Sequence, residues 1–265
     1  MNQSIYSVLN QSFGDFELII CDDCSDKYYI KEFLREASER DGRIKIIENS
    51  ENMGLAASLN RCIEKSGADS RYIFRQDDDD YSEPERFKIQ YDFLENNPDI
   101  SIVGSNISLH NDCGKWGSLK YPEKPGKYDF LFAIPFMHGA IAFRKSDLIK
   151  SGCYLSSKTT WRTEDYELLM RMYSLGYTGY NIQQDLYSFK EDPAAHKRRK
   201  YRYKIDEAII KYRGFKTLNL LPKGLPYVIK PLIVGVIPYS LLNFMKDKYY
   251  GRRKERKNRE QKKDK

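Results

Sequence analysis

The sequence predicts an α/β fold, a layered sheet with helices on its faces. Two observations carry this. Short apolar runs of strand length alternate with stretches of helical period, and two of those runs pass directly into acidic clusters, where a strand would hand over to a loop. The 265 residues are 40% hydrophobic and 31% charged, a soluble globular balance, and 21 Tyr argue against bulk disorder. With only 3 His and no His-rich cluster, a histidine-built zinc site is not expected.

The elements follow in order. Residues 2–9 read as a short helix with Ile5, Val8 and Leu9 on one face. Phe16 to Cys21 is an apolar run that suits a buried parallel strand, and it ends in Asp22-Asp23-Cys24-Ser25-Asp26. A helix over 28–40 and a strand over 43–48 come next. A loop from Asn49 to Gly54, a helix over 55–65 and a strand over 72–75 repeat the pattern, the strand running into Asp77-Asp78-Asp79-Asp80. Pro84-Glu85-Arg86 opens another helix, with Pro in its first turn, and 101–105 reads as a fourth strand. Such alternation predicts right-handed crossovers, with ligands beyond the carboxyl ends of the strands.

After residue 195 the character changes. Residues 196–203 are basic and aromatic, and 204–213 read as helix. Residues 225–245 are apolar but carry Pro226, Pro231, Pro238 and Lys230, short of the ~20 uninterrupted apolar residues of a spanning helix. An interfacial membrane segment fits, as does a packed helix pair. Residues 246–265 hold 11 Lys and Arg against 4 Asp and Glu, the whole formal excess of +7, so the remaining 245 residues form a neutral body. The five cysteines (Cys21, Cys24, Cys62, Cys113, Cys153) lack regular spacing, and there is no signal peptide, which predicts reduced thiols in the cytoplasm. Cys21 and Cys24 match C-x-x-C, but two intervening aspartates disfavour a thiolate, and coincidence at a strand end is the plainer reading.

Two acidic constellations bear on chemistry. Four adjacent carboxylates at Asp77–Asp80 repel unless a cation or solvent screens them, and oxygen-only ligands suit Mg²⁺ or Mn²⁺. A turn capping the helix near Pro84 would use the same residues. In the second, Thr163 reads as the cap of a helix whose first turn holds Glu164 and Asp165, where the dipole favours negative charge and where a general base could also be held.

The ordered succession Ser7-Val8-Leu9-Asn10-Gln11, Phe16 to Ile20, Asp22-Asp23-Cys24-Ser25, Asn52-Met53-Gly54-Leu55, the Asp77–Asp80 run with Pro84-Glu85-Arg86, and Glu164-Asp165 resembles family 2 glycosyltransferases of the GT-A fold. It covers roughly residues 4–190, and the final third is similar in character to bacterial capsule, lipopolysaccharide and O-antigen transferases. The resemblance implies a Rossmann-like, mixed and mostly parallel sheet flanked by helices, with a helical membrane-proximal extension. The family's opening strand, ordinarily central and well ahead of the Ser-Val-Leu-Asn-Gln segment, is missing by the same comparison, because Ser7 lies so near Met1. Cys24 also stands where the family has Gly.

Residue by residue, the resemblance implies that Asp23 hydrogen-bonds the nucleotide base with Asp22 beside it, and that Asn52 and Asp78 line the nucleotide-sugar site. Asp79 would ligate Mn²⁺ or Mg²⁺, and Asp77 would contact the ribose or the metal. Asp165 would be the catalytic base, with Glu164 next to it. His138 resembles a residue near the sugars, although a core or loop histidine reads equally well. The implied activity is inverting transfer from a UDP-sugar to a lipid-linked or polysaccharide acceptor, in cell-surface glycan synthesis, on the anionic inner face of the plasma membrane. The expected division is a transferase domain at 1–195, an amphipathic extension at 196–245 and a disordered basic tail at 246–265. A chain keeping these motifs without turnover is the class-distinct alternative. A nucleic-acid partner is not expected, since a basic tail alone binds phosphate of every kind.

Overall fold

Parallel pairing opens the sheet structure. β1 (Leu18–Asp22) lies beside β2 (Ile44–Glu48), with Leu18 opposite Ile44 and Asp22 opposite Glu48, and α2 (Tyr28–Arg40) makes the crossover. The computed structural model describes residues 2–111, 114–190 and 201–236. α1 (Asn2–Leu9) packs Ile5 against Leu34 and Ile44, so its apolar face is the one its spacing predicts.

α3 (Leu55–Lys65) leads to β3 (Tyr72–Phe74), which enters a six-stranded sheet of order β3-β7-β5-β8-β4, with β6 added alongside β5. The other members are β4 (Tyr81–Ser82), β5 (Ile102–Asn111), β6 (Gly114–Leu119), β7 (Ala142–Arg144) and β8 (Gly179–Lys190). β5 and β8 run parallel, and β3–β7, β5–β7, β5–β6 and β4–β8 are antiparallel. The sheet is mixed, as the resemblance implies, with a larger antiparallel share than the strand–helix alternation suggests. The reason lies in the second half of the chain, where β6 and β7 return to β5 without a crossover helix.

Among the described residues no strand pairing joins the two-stranded sheet to the six-stranded one. β1 and β3 are apolar yet only half-buried, since each has a partner along one edge alone.

The helices are α4 (Arg86–Asn96), α5 (Lys145–Lys150), α6 (Glu164–Ser174), α7 (Arg202–Thr217) and α8 (Leu225–Val236). α4 starts two residues later than Pro84 suggests. Pro84 lies outside the helix, its carbonyl accepting Ser12 N–H at 2.9 Å. The main core gathers Ile102, Phe143 and Leu148 with Leu168 and Leu169 of α6, and α7 contributes Ile210 and Phe215 to it. The expected helix at 204–213 is thus the middle of α7, anchored on the body. The expected apolar segment is helical through Val236. Residues 237–245, the basic tail, Cys113 and 196–200 lie outside the described residues. Among the described helices none is long and apolar enough to cross a membrane.

Candidate active site

β3 delivers its loop onto two buried cations. The Arg75 guanidinium turns inward, with Nη2 donating to Asp77 Oδ1 at 2.6 Å and Nη1 to the Gln76 carbonyl, while Nε has no partner. Arg86 of α4 is 0% exposed and donates to Gln90 Oε1 (3.0 Å), Gln76 Oε1 (3.1 Å), Ser82 Oγ (2.8 Å) and the Arg75 carbonyl (2.7 Å). Burial pulls its pKa down to about 10, against the pull of Tyr187 and Asp77. Two guanidiniums under four carboxylates offset the repulsion that the sequence posed as a problem.

Asp77 is fixed from several sides. Its N–H donates to Tyr187 Oη at 3.2 Å, and its carbonyl accepts Ser4 Oγ–H at 2.6 Å. Gly139 gives its carboxylate room, since a Cβ there would lie 2.5 Å from Asp77 Oδ2 and collide with the Tyr187 hydroxyl. Asp78 and Asp79 are exposed. The Asp79 carboxyl is raised above its ordinary pKa by lost hydration, then by Asp78 and Asp77. Asp80 is buried and structural, with Oδ1 accepting Lys190 N–H at 2.8 Å, Oδ2 unpartnered, and burial pushing its pKa up to about 7. The run does not cap α4, whose N-cap is Glu85, so the capping alternative falls.

The second cluster meets the first. Thr163 occupies the N-cap position of α6 but makes no side-chain cap bond, correcting the expected role. Its hydroxyl turns back toward the Thr159 carbonyl at 3.5 Å. The Tyr166 amide is met instead by Asp165, donating to its Oδ1 at 2.7 Å, while burial raises the Glu164 pKa against the pull of the backbone at 162–164. Burial, then the charge of Glu164, pushes Asp165 up to about 7, with Asp77 adding to the rise. Tyr154 is buried and feels the charges of Arg75, Asp165, Asp77 and Glu164, members of both clusters. Its hydroxyl pairs with His138 Nε2 at 2.8 Å, and Asn60 of α3 clamps its backbone at 2.8 and 2.9 Å. Burial and then Arg75 hold the His138 pKa down to about 3, a neutral imidazole inside the wall of the site.

The aspartates after β1 diverge, as neighbours on a strand do. Asp22 is buried, accepts Ser25 N–H at 3.0 Å and lines a cleft of ≈ 330 Å³ beside Lys31 and Arg35 of α2. Asp23 faces the loop after β2. It accepts Asn49 Nδ2 at 2.6 Å and the amides of Met53 and Gly54 at 2.8 Å each. Burial raises its pKa, but these bonds outweigh it and the net shift is downward. Asn52 is exposed and donates to the Asp23 carbonyl at 3.4 Å. Cys24 has φ +62, the left-handed region in which glycine is at ease. The C-x-x-C thiols go separate ways, Cys21 to Asn49 Oδ1 (3.5 Å) and Cys24 to the Ser50 carbonyl (3.7 Å). The six-membered ring of Trp161 rests on Gly54, linking this loop to the segment ahead of α6.

The residues that sequence reasoning missed are Arg75, Arg86, Gly139, Tyr154 and Tyr187. Arg75 had a signal, lying beside the aspartate run, and Arg86 stood within the Pro84-Glu85-Arg86 segment already singled out, without a role assigned to it. Tyr187 arrives from β8 with none.

The family described as "Glycosyl transferase family 2" matches residues 1–152. The Bacillus subtilis (strain 168) protein named as the glycosyltransferase EpsE is 38% identical over 241 residues, 91% of this chain and 86% of its own. The Escherichia coli UDP-Gal:alpha-D-GlcNAc-diphosphoundecaprenol beta-1,3-galactosyltransferase is 26% identical over 252 residues, 92% and 89% of the two chains. Among solved structures, Staphylococcus aureus TarS 1–349 with UDP-GlcNAc superposes with a TM-score of 0.66 at 15% identity, over 86% of this chain and 68% of that one. The chain belongs to glycosyl transferase family 2, and its fold is GT-A.

Proposed function

We propose that the chain transfers a sugar from a UDP-sugar to a lipid-linked or polysaccharide acceptor, in bacterial cell-surface glycan synthesis, with inversion at the anomeric carbon. The observation that supports this most is that Asp77 and Asp165, from loops far apart in sequence, act electrostatically on one another and on the buried Tyr154, with burial pushing Asp165 up to about 7. A base is most effective when its pKa lies near the working pH.

Asp79, with Asp77 behind it, would hold Mn²⁺ or Mg²⁺. The donor type fits such an ion, since Asp77 and Asp79 offer carboxylate oxygens alone, although among the described residues no group of three or more ligating side chains is gathered there. When bound, the cation supplies positive charge against the diphosphate leaving group. Asp23 positions the base end, with Asp22, Asn52 and Asp78 around the nucleotide sugar and Glu164 and His138 shaping the sugar end. Asp165 takes the proton of the acceptor hydroxyl as its oxygen bonds to the anomeric carbon and the bond to the diphosphate oxygen breaks. One displacement inverts the centre and needs no second nucleophilic carboxylate.

The reading places the enzyme on the cytoplasmic face of the plasma membrane, with 1–195 as the transferase domain, 196–245 as the membrane-proximal extension and 246–265 as the basic tail. Leu225, Ile229, Ile233 and Val236 form an exposed apolar line on α8, and Lys223 and Lys230 are exposed with them, a pattern that favours an anionic bilayer surface. The test is a panel of radiolabelled UDP-sugars with Mn²⁺, scored for transfer and for hydrolysis. Release of UDP by the wild type but not by Asp165→Asn supports the reading. No release from any donor by folded protein sinks it.

A further inference from the structure

We infer that Trp161 is the platform on which a pyranose ring of the acceptor stacks. The inference rests on the transferase reading and names a specificity residue within it. Trp161 is 47% exposed, and a single exposed apolar side chain means little on its own. Its setting is what is built. The next residue, Arg162, has φ +69, in the left-handed region that residues other than glycine seldom adopt. That turn is held from both sides. The Arg162 guanidinium lies 5.1 Å from the Tyr203 ring centroid, and Thr160 ties the preceding loop through its hydroxyl to the Leu155 carbonyl (2.6 Å), while Thr163 N–H donates to the Thr160 carbonyl at 2.8 Å. Strain kept in place by its surroundings is a pointer to function.

The ring also occupies a chosen spot. A Cβ on Gly54 would lie 3.0 Å from Trp161 Cζ3, so glycine, at φ +83, lets the indole close onto that loop. The same Gly54 amide donates to Asp23, and Trp161 lies in the turn that leads into α6, four residues before Asp165. The indole therefore packs on the loop that holds Asp23 and belongs to the turn that leads to Asp165. A pyranose presents C–H groups on its faces and hydroxyls at its rim. An aromatic face takes the former and leaves a rim hydroxyl for Asp165.

In the test, Trp116→Phe leaves Trp161 as the single indole. Its emission is followed with UDP and Mn²⁺ present while methyl glycosides of glucose, galactose, N-acetylglucosamine and N-acetylgalactosamine are titrated. Saturable change with at least one glycoside is expected. By calorimetry, Trp161→Ala should weaken that glycoside about tenfold and Trp161→Phe about threefold, with UDP–Mn²⁺ affinity within about twofold of wild type in both. No response to any glycoside, equal glycoside affinity in Trp161→Ala, or a loss of UDP affinity that follows the ring would overturn the assignment, the last placing the indole on the nucleotide. Wild-type protein that binds no UDP with Mn²⁺ defeats the transferase reading itself, a result distinct from the other three.

Discussion

Arg75 Nη2 lies 2.6 Å from Asp77 Oδ1, an ion pair closed within the loop that leaves β3. Its side chains are 11% and 28% exposed, so the charge that steadies the acidic run is supplied from inside the protein. Breaking a buried pair strands the remaining charge. Arg75→Met should therefore cost about 3 kcal/mol of stability and weaken UDP–Mn²⁺ binding, read by thermal melts and calorimetry. Arg75→Lys keeps the charge but loses the fork, and should fall between.

Gly139→Ala places a methyl group 2.5 Å from Asp77 Oδ2 and into the Tyr187 hydroxyl. The expected result is a folded protein that has lost about 2 kcal/mol and binds UDP–Mn²⁺ at least about tenfold more weakly. Unchanged affinity would show that the Asp77 carboxylate tolerates displacement.

Asp165→Asn should lower transfer by about 10³-fold while leaving the UDP–Mn²⁺ affinity near wild type. Full activity would remove Asp165 from the base role.

Asp165 should also set the pH profile. Burial and Glu164 raise its pKa to about 7, so the protonated, inactive form dominates below that value and the rate climbs as pH rises through it. Glu164→Gln removes the neighbouring negative charge and should move the inflection to lower pH, measured from kcat/KM against pH. An unchanged inflection would assign the titration to another group.

The legible part of this site was its local part. Asp77, Asp79 and Asp165 could be singled out as candidates because each sits in a short acidic run beside an element whose period is clear. Asp23 was readable for the same reason, but its divergence from Asp22 depended on strand alternation at the very end of β1. Tyr187 lies 110 residues from Asp77, and only sheet pairing of β8 brings it there. β4 has two residues, and β6 is exposed along nearly its whole length, so neither shows the apolar alternation that betrays a strand. The capping role expected of Thr163 passed to Asp165 because its carboxylate reaches the Tyr166 amide and carries charge. Arg75 and Arg86 were visible as residues, yet their burial under the aspartates follows from packing between β3 and α4, which no local pattern encodes.

The proposed transfer depends on a cation held by aspartates and holding the sugar nucleotide in return. The most direct measurement is calorimetric titration of UDP into wild type and Asp79→Asn, each with Mn²⁺ and with EDTA. Wild-type binding that requires Mn²⁺ and is lost in Asp79→Asn is the predicted result. UDP affinity that is the same with chelator, or untouched by the substitution, contradicts it.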